Sequence, residues 1–144
     1  GFNDIVDEAL ENVAGQVLER GIQVQVEPNM PTVTGDRRRL AEMLQNLLDN
    51  AIKYAGDQLQ PKIEIGSAVS RGVRAFYVRD NGIGIPRDYQ AKVFKIFEVL
   101  DPVRGGSGVG LALVKKIIQA HSGQVWIESE GKDQGTTFWF TLPR

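Results

Sequence analysis

Leu40-Ala41-Glu42-Met43-Leu44-Gln45-Asn46-Leu47-Leu48-Asp49-Asn50-Ala51-Ile52-Lys53-Tyr54 is the stretch on which the reading of this chain turns. Leu40, Leu44, Leu47, Leu48 and Ala51 recur at helical spacing and form one apolar stripe. Asn46, Asn50, Lys53 and Tyr54 share a neighbouring face. Asparagine is a mediocre helix former, because its amide competes for backbone groups. Two on one face beside a lysine suit a polyphosphate with a metal. An Asn oxygen can ligate magnesium (Mg2+), which prefers hard oxygen donors, and Lys53 supplies a point charge for phosphate oxygens. Taken alone, a solvated helix face with two capping-prone asparagines fits this stretch equally well.

Working outward, Asp36 is the expected N-cap of this helix, which runs to about Tyr54. Upstream, Ile5, Val6, Ala9, Leu10, Val13, Val17 and Leu18 predict a helix over 2–20 that Gly21 stops. Alternation predicts a strand over 22–26, with a turn over 28–31. Downstream come a loop over 56–61 and strands over 62–70 and 73–79, joined around Arg71-Gly72. A glycine-rich loop, a helix from about 87 to 98, a second glycine-rich loop and a helix over 109–121 follow. Strands over 123–129 and 136–142 close the chain. With short joints and no repeat, residues 1–144 read as one domain. Helices mixed with hairpin-linked strands predict the α+β class: a mixed, mostly antiparallel sheet with helices packed on one face.

The 144 residues, 42% hydrophobic and 24% charged, suit one globular domain with its own core. A net charge of -1 argues against nucleic acid or a membrane surface as a direct partner. Cysteine is absent, which excludes disulfides and thiolate chemistry. No apolar run is long enough to cross a bilayer and no signal peptide is visible. The opening Gly1-Phe2 reads as the start of a piece of something longer.

The first glycine loop reads Asp80-Asn81-Gly82-Ile83-Gly84-Ile85-Pro86. Asp80 ends a predicted strand, where a carboxylate can point into a cleft. Accepting hydrogen bonds only, it would welcome the exocyclic amine of adenine and repel the carbonyl of guanine. An Asn-Gly hairpin turn is the plainer reading, although Ile85-Pro86 leads into a helix and not a partner strand. The second loop, Gly105-Gly106-Ser107-Gly108-Val109-Gly110-Leu111, precedes an apolar helix and follows Arg104. Free N–H groups and the helix dipole make such a start a natural anion site, while a flexible surface loop with a helix start is the plainer reading. Neither loop fits G-x-G-x-x-G, because Arg87 and Leu111 stand at the third glycine position, and no P-loop is present.

In this order and spacing the stretches resemble the catalytic ATP-binding domain of sensor histidine kinases, within the family shared with gyrase, Hsp90 and MutL. The resemblance covers nearly the whole chain. Asn46 to Tyr54 resembles the asparagine box, Asp80 to Ile85 the first glycine box, and Phe94-Lys95-Ile96-Phe97-Glu98 the phenylalanine box. Gly106 to Leu111 resembles the second glycine box, and Gly135-Thr136-Thr137-Phe138 the small closing motif. The resemblance implies a Bergerat-type two-layer α/β sandwich that binds ATP with Mg2+ under a lid. It implies that Asn50 ligates the metal and that Asn46, Lys53 and Tyr54 line the phosphate and ribose side, with Asn46 and Lys53 serving catalysis. Asp80 would hold the adenine amine. Gly82, Gly84, Ile85, Gly106, Ser107, Gly108, Val109, Gly110, Leu111 and Thr137 would shape the nucleotide site, and Phe97 would belong to the lid region. The stretch over 98–105 is shorter than many family lids and leaves Arg104 as its main cation.

The ATP-hydrolysing relatives carry a glutamate where this chain has Asn46, and a neutral amide cannot act as a general base. Glu42 lies one turn earlier. The resemblance therefore implies γ-phosphoryl transfer to a histidine on a separate helical segment of the same parent protein, with a response regulator downstream. That phosphoacceptor segment is absent, since the single histidine, His121, reads as a helix C-terminal residue favoured by the dipole. The fragment is expected to be monomeric and cytoplasmic, its parent a homodimer with or without a membrane anchor. A conformational ATPase, a non-catalytic nucleotide-binding interaction module and a serine-directed kinase of the same fold are the alternatives.

Overall fold

The computed structural model describes residues 1–55, 60–83, 110–129 and 135–143. The helix expected over 87–98 and the greater part of both glycine loops lie outside those residues. The described elements are α1 (Phe2–Glu19), β1 (Gln23–Val26), α2 (Arg37–Lys53), β2 (Lys62–Ser70), β3 (Val73–Asp80), α3 (Gly110–Ala120), β4 (Val125–Glu128) and β5 (Thr136–Phe140).

Local chemistry sets the helix ends. Asp36 caps α2 as expected, its carboxylate accepting from the amide of Arg39 at 3.2 Å. Past α1, Gly21 N–H donates to Leu18 and Ile22 N–H to Val17, so two of the last carbonyls are satisfied by a Schellman turn.

The strands form one sheet in the order β1-β2-β3-β5-β4. β1 and β2 are parallel, because α2 carries the chain back between them, and the other pairs are antiparallel. The class is α+β with a mixed, mostly antiparallel sheet, as the sequence indicates.

Strand alternation sorts the two faces. Ile63, Ile65, Phe76, Val78, Phe138 and Phe140 join the apolar sides of all three described helices in one core. Phe2 anchors α1 there, its ring 4.2 Å from Phe76 and 6.0 Å from Phe140 between centroids. Burying one such side chain stabilises the fold by about 1.5–3 kcal/mol. The other face carries a separate cluster of Ala75, Trp126 and Trp139, with Tyr77 packed against it. The guanidinium of Arg71 lies over the Trp126 ring at 5.0 Å and that of Arg79 over Tyr77 at 4.7 Å.

Candidate nucleotide site

Asp80 is the last residue of β3 and pairs with Ile63 of β2 and Thr136 of β5. Parity with Phe76 and Val78 turns it to the helix side, where it is 7% exposed. A carboxylate in that position loses water. Burial pushes its pKa up to about 6, against the opposing pull of hydrogen bonds from the backbone amides of Gly82 and Thr136. The Gly82 bond is 2.8 Å long. Asp80 has no ion-pair partner among the described residues, so its charge is held by two peptide dipoles.

The turn after Asp80 fits against the end of α2. Ile83 N–H donates to the Tyr54 carbonyl at 2.9 Å, and a Cβ on Gly82 would collide with that same carbonyl. Only a glycine lets the two backbones approach this closely. Gly135, at φ +76°, donates its N–H to the Gly82 carbonyl at 3.1 Å and closes the other side. Asn81 faces away from this turn. Its side chain accepts from Lys62 N–H and donates to the Gln60 carbonyl, each at 2.9 Å. The Asn-Gly pair therefore makes no hairpin; it ties the end of β3 to the start of β2.

On α2, Asn46 and Asn50 are half-buried, Lys53 is exposed and Tyr54 is buried. The amide nitrogen Nδ2 of Asn46 is buried without a hydrogen-bond partner, a costly state for a polar donor. Asn50, in the same face one turn on, makes no side-chain hydrogen bond among the described residues. Asp49, on the next position back, has its pKa raised by burial and partly restored by Lys53. Glu42, the candidate base, instead pairs with Arg39 at 3.6 Å, a turn further from Asn46.

The structure thus places Tyr54, Asp80 and Gly82 together and sets Asn46 and Asn50 on the helix that ends there. Gly110 opens α3, and Leu111 is packed against the core. Gly84, Ile85, Phe97, Arg104, Gly106, Ser107, Gly108 and Val109 lie outside the described residues. Thr137 pairs with Arg79, and its hydroxyl accepts from Arg79 Nε at 3.2 Å, on the sheet face opposite Asp80. Its neighbour Thr136 stands on the Asp80 side. It is 5% exposed, and its amide donates to Asp80. Counting back by twos from Phe140 and Phe138 finds Thr136 in the sequence, because residues of one parity share a face.

A buried strand-end carboxylate, an orphaned helix amide and a glycine turn locked to that helix form a candidate site at one edge of the core of this α+β fold. The family model for histidine kinase-, DNA gyrase B-, and HSP90-like ATPases matches residues 35–144, and the chain belongs to that family. FilI, a methanogenesis regulatory histidine kinase of Methanothrix harundinacea (strain 6Ac), is 49% identical over 142 residues, which are 99% of this chain and 16% of that protein. The chain thus spans less than a fifth of the length of this relative. The mycobacterial sensor histidine kinase MprB superposes with a TM-score of 0.80 at 28% identity, covering 99% of this chain and 93% of that one. Full-length ShkA in complex with AMPPNP does so with a TM-score of 0.80 at 28% identity, covering 99% of this chain and 30% of that one. Among the described residues no helix is long and apolar enough to cross a membrane.

Proposed function

We propose that residues 1–144 act as one catalytic domain that binds Mg2+-ATP and passes its γ-phosphoryl group to a histidine on a helical segment of the parent protein, in two-component signalling. The observation that carries this reading is Asp80. It is a buried anion held, among the described residues, by backbone amides alone, at the end of a strand, with acceptor capacity left for an exocyclic amine. AMPPNP bound to ShkA, a solved structure of like fold, supports the same ligand class.

The orphaned Asn46 Nδ2 fits a phosphate or ribose oxygen as its acceptor. The unengaged Asn50 oxygen fits one ligand of an ion that takes its other ligands from phosphates and water, and no cluster of three or more acidic, His or Cys groups stands among the described residues to hold a metal otherwise. Bound there, Mg2+ would neutralise charge on the phosphate oxygens. Lys53 is exposed and free to reach the phosphate chain. In the transfer, an imidazole nitrogen of the acceptor bonds to the γ-phosphorus, the bond to the bridging oxygen breaks and ADP leaves. The chain's contribution is positioning and charge. Asn46 offers no base for water, and Glu42 lies a turn earlier on α2, so slow hydrolysis is expected without an acceptor.

The test mixes this domain with a histidine-bearing hairpin from its own parent and labelled ATP. Acid-labile phosphate on the hairpin supports the reading; a bare hairpin, with ATP bound, rejects phosphotransfer.

A further inference from the structure

The chain's single histidine is not one of the residues of that site. His121 follows the last residue of α3. Its Nδ1 lies 2.9 Å from the Ile117 carbonyl oxygen, which can only accept, so Nδ1 carries the hydrogen. Its Nε2 is then bare and accepts from the Asp36 amide at 3.1 Å. The two bonds select one tautomer, with the hydrogen on Nδ1.

The segment that meets the ring is built for it. A Cβ on Gly35 would stand 2.5 Å from His121 Cδ2 and 2.8 Å from Nε2, so the ring lies directly on the Gly35 backbone. One residue back, Thr34 N–H donates to the Pro143 carbonyl at 2.8 Å. One residue on, Asp36 caps α2. The start of α2 is therefore joined to the end of α3, and the two helices pack against each other. Asn46 and Asn50 stand further along the same helix, α2.

We propose that His121 is a positioning residue for the nucleotide site, resting on the reading of that site given above. It pins the axial register of α2 against α3, and with it the height at which α2 presents Asn46 and Asn50. A side chain that only filled space would hold the helices together without fixing how far one slides along the other.

The test compares His121→Gln, His121→Asn and Gly35→Ala. Glutamine reaches about as far as Nε2 and can offer its oxygen to the Asp36 amide. Asparagine reaches only about as far as Nδ1. Gly35→Ala keeps the histidine and displaces the ring, so it serves if His121→Asn does not fold. Calorimetry with Mg2+-ATP is expected to show a loss of roughly threefold to thirtyfold for His121→Asn and Gly35→Ala, and near-native binding for His121→Gln. In the nucleotide-free proteins, the side-chain amide resonances of Asn46 and Asn50 are expected to move in the first two and stay in the third. Folded His121→Asn and Gly35→Ala with native affinity and unmoved resonances overturn the proposal, whatever their melting temperatures. A wild-type chain that binds no ATP rejects the nucleotide reading instead, and the resonances alone then decide whether the pin sets the asparagines.

Discussion

Ile83 N–H donates to the carbonyl of Tyr54 at 2.9 Å, joining the turn after β3 to the end of α2. The contact is possible because Gly82 has no side chain to meet that carbonyl. Gly82→Ala should force the turn off the helix, costing about 1–3 kcal/mol, as overpacking does. Since the turn also delivers the Gly82 amide to Asp80, ATP binding should weaken together with stability. A variant that melts like the native chain and still binds ATP would show that the turn and helix can separate without cost.

Asp80 gives a prediction with a definite sign. Burial raises its pKa to about 6 in the folded chain, from the ordinary carboxylate value of 3.8. The folded state holds that proton more tightly, so stability should fall as pH rises through this window and remain lower above it. The gap of roughly two units is worth about 3 kcal/mol. Asp80→Asn keeps an oxygen for the Gly82 amide and discards the charge. It should raise the melting temperature of the nucleotide-free protein at neutral pH and flatten its pH dependence. ATP affinity should drop by about 1–3 kcal/mol, through loss of a charge-assisted acceptor. Native ATP binding in a destabilised variant would contradict both halves of the argument. In the native chain, ATP binding should weaken below about pH 6, as Asp80 gains its proton.

Thr137→Ala should leave ATP affinity unchanged. Its hydroxyl bonds Arg79 on the far face of the sheet, and losing one exposed hydrogen bond should alter stability by about 1 kcal/mol or less. A several-fold loss of affinity in calorimetry would put Thr137 back in the site.

Glu42→Gln separates a kinase domain from an ATP-hydrolysing one. Glu42 is paired with Arg39, both side chains largely in solvent, so the pair is worth little. The variant should hydrolyse ATP at the same slow rate as the native chain. A collapse of basal turnover would make Glu42 the water-activating base.

What the sequence showed depended on the range of the interaction. The cap at Asp36, the apolar stripe of α2 and the strands on either side of Arg71-Gly72 are local, and they read correctly. That Thr136 and not Thr137 shares the Asp80 face was also within reach, because a two-residue period decides it. Long-range pairings were not legible. Nothing near β1 announces that it lies parallel to β2. The bond between Asp36 and His121 spans 85 positions, so only the folded chain reveals that the histidine acts as an acceptor. The orphaned nitrogen of Asn46 was equally hidden, since pattern locates a side chain on a face but does not count its partners.

The indole rings offer a last consequence. Both tryptophans of the chain, Trp126 and Trp139, sit on the side of the sheet turned away from Asp80. Their emission will follow global unfolding closely, yet it will scarcely register whether a nucleotide is bound. A fluorescence titration without change would be the ordinary behaviour of this domain, and an extrinsic label or a tryptophan placed near Tyr54 is needed to watch the site fill.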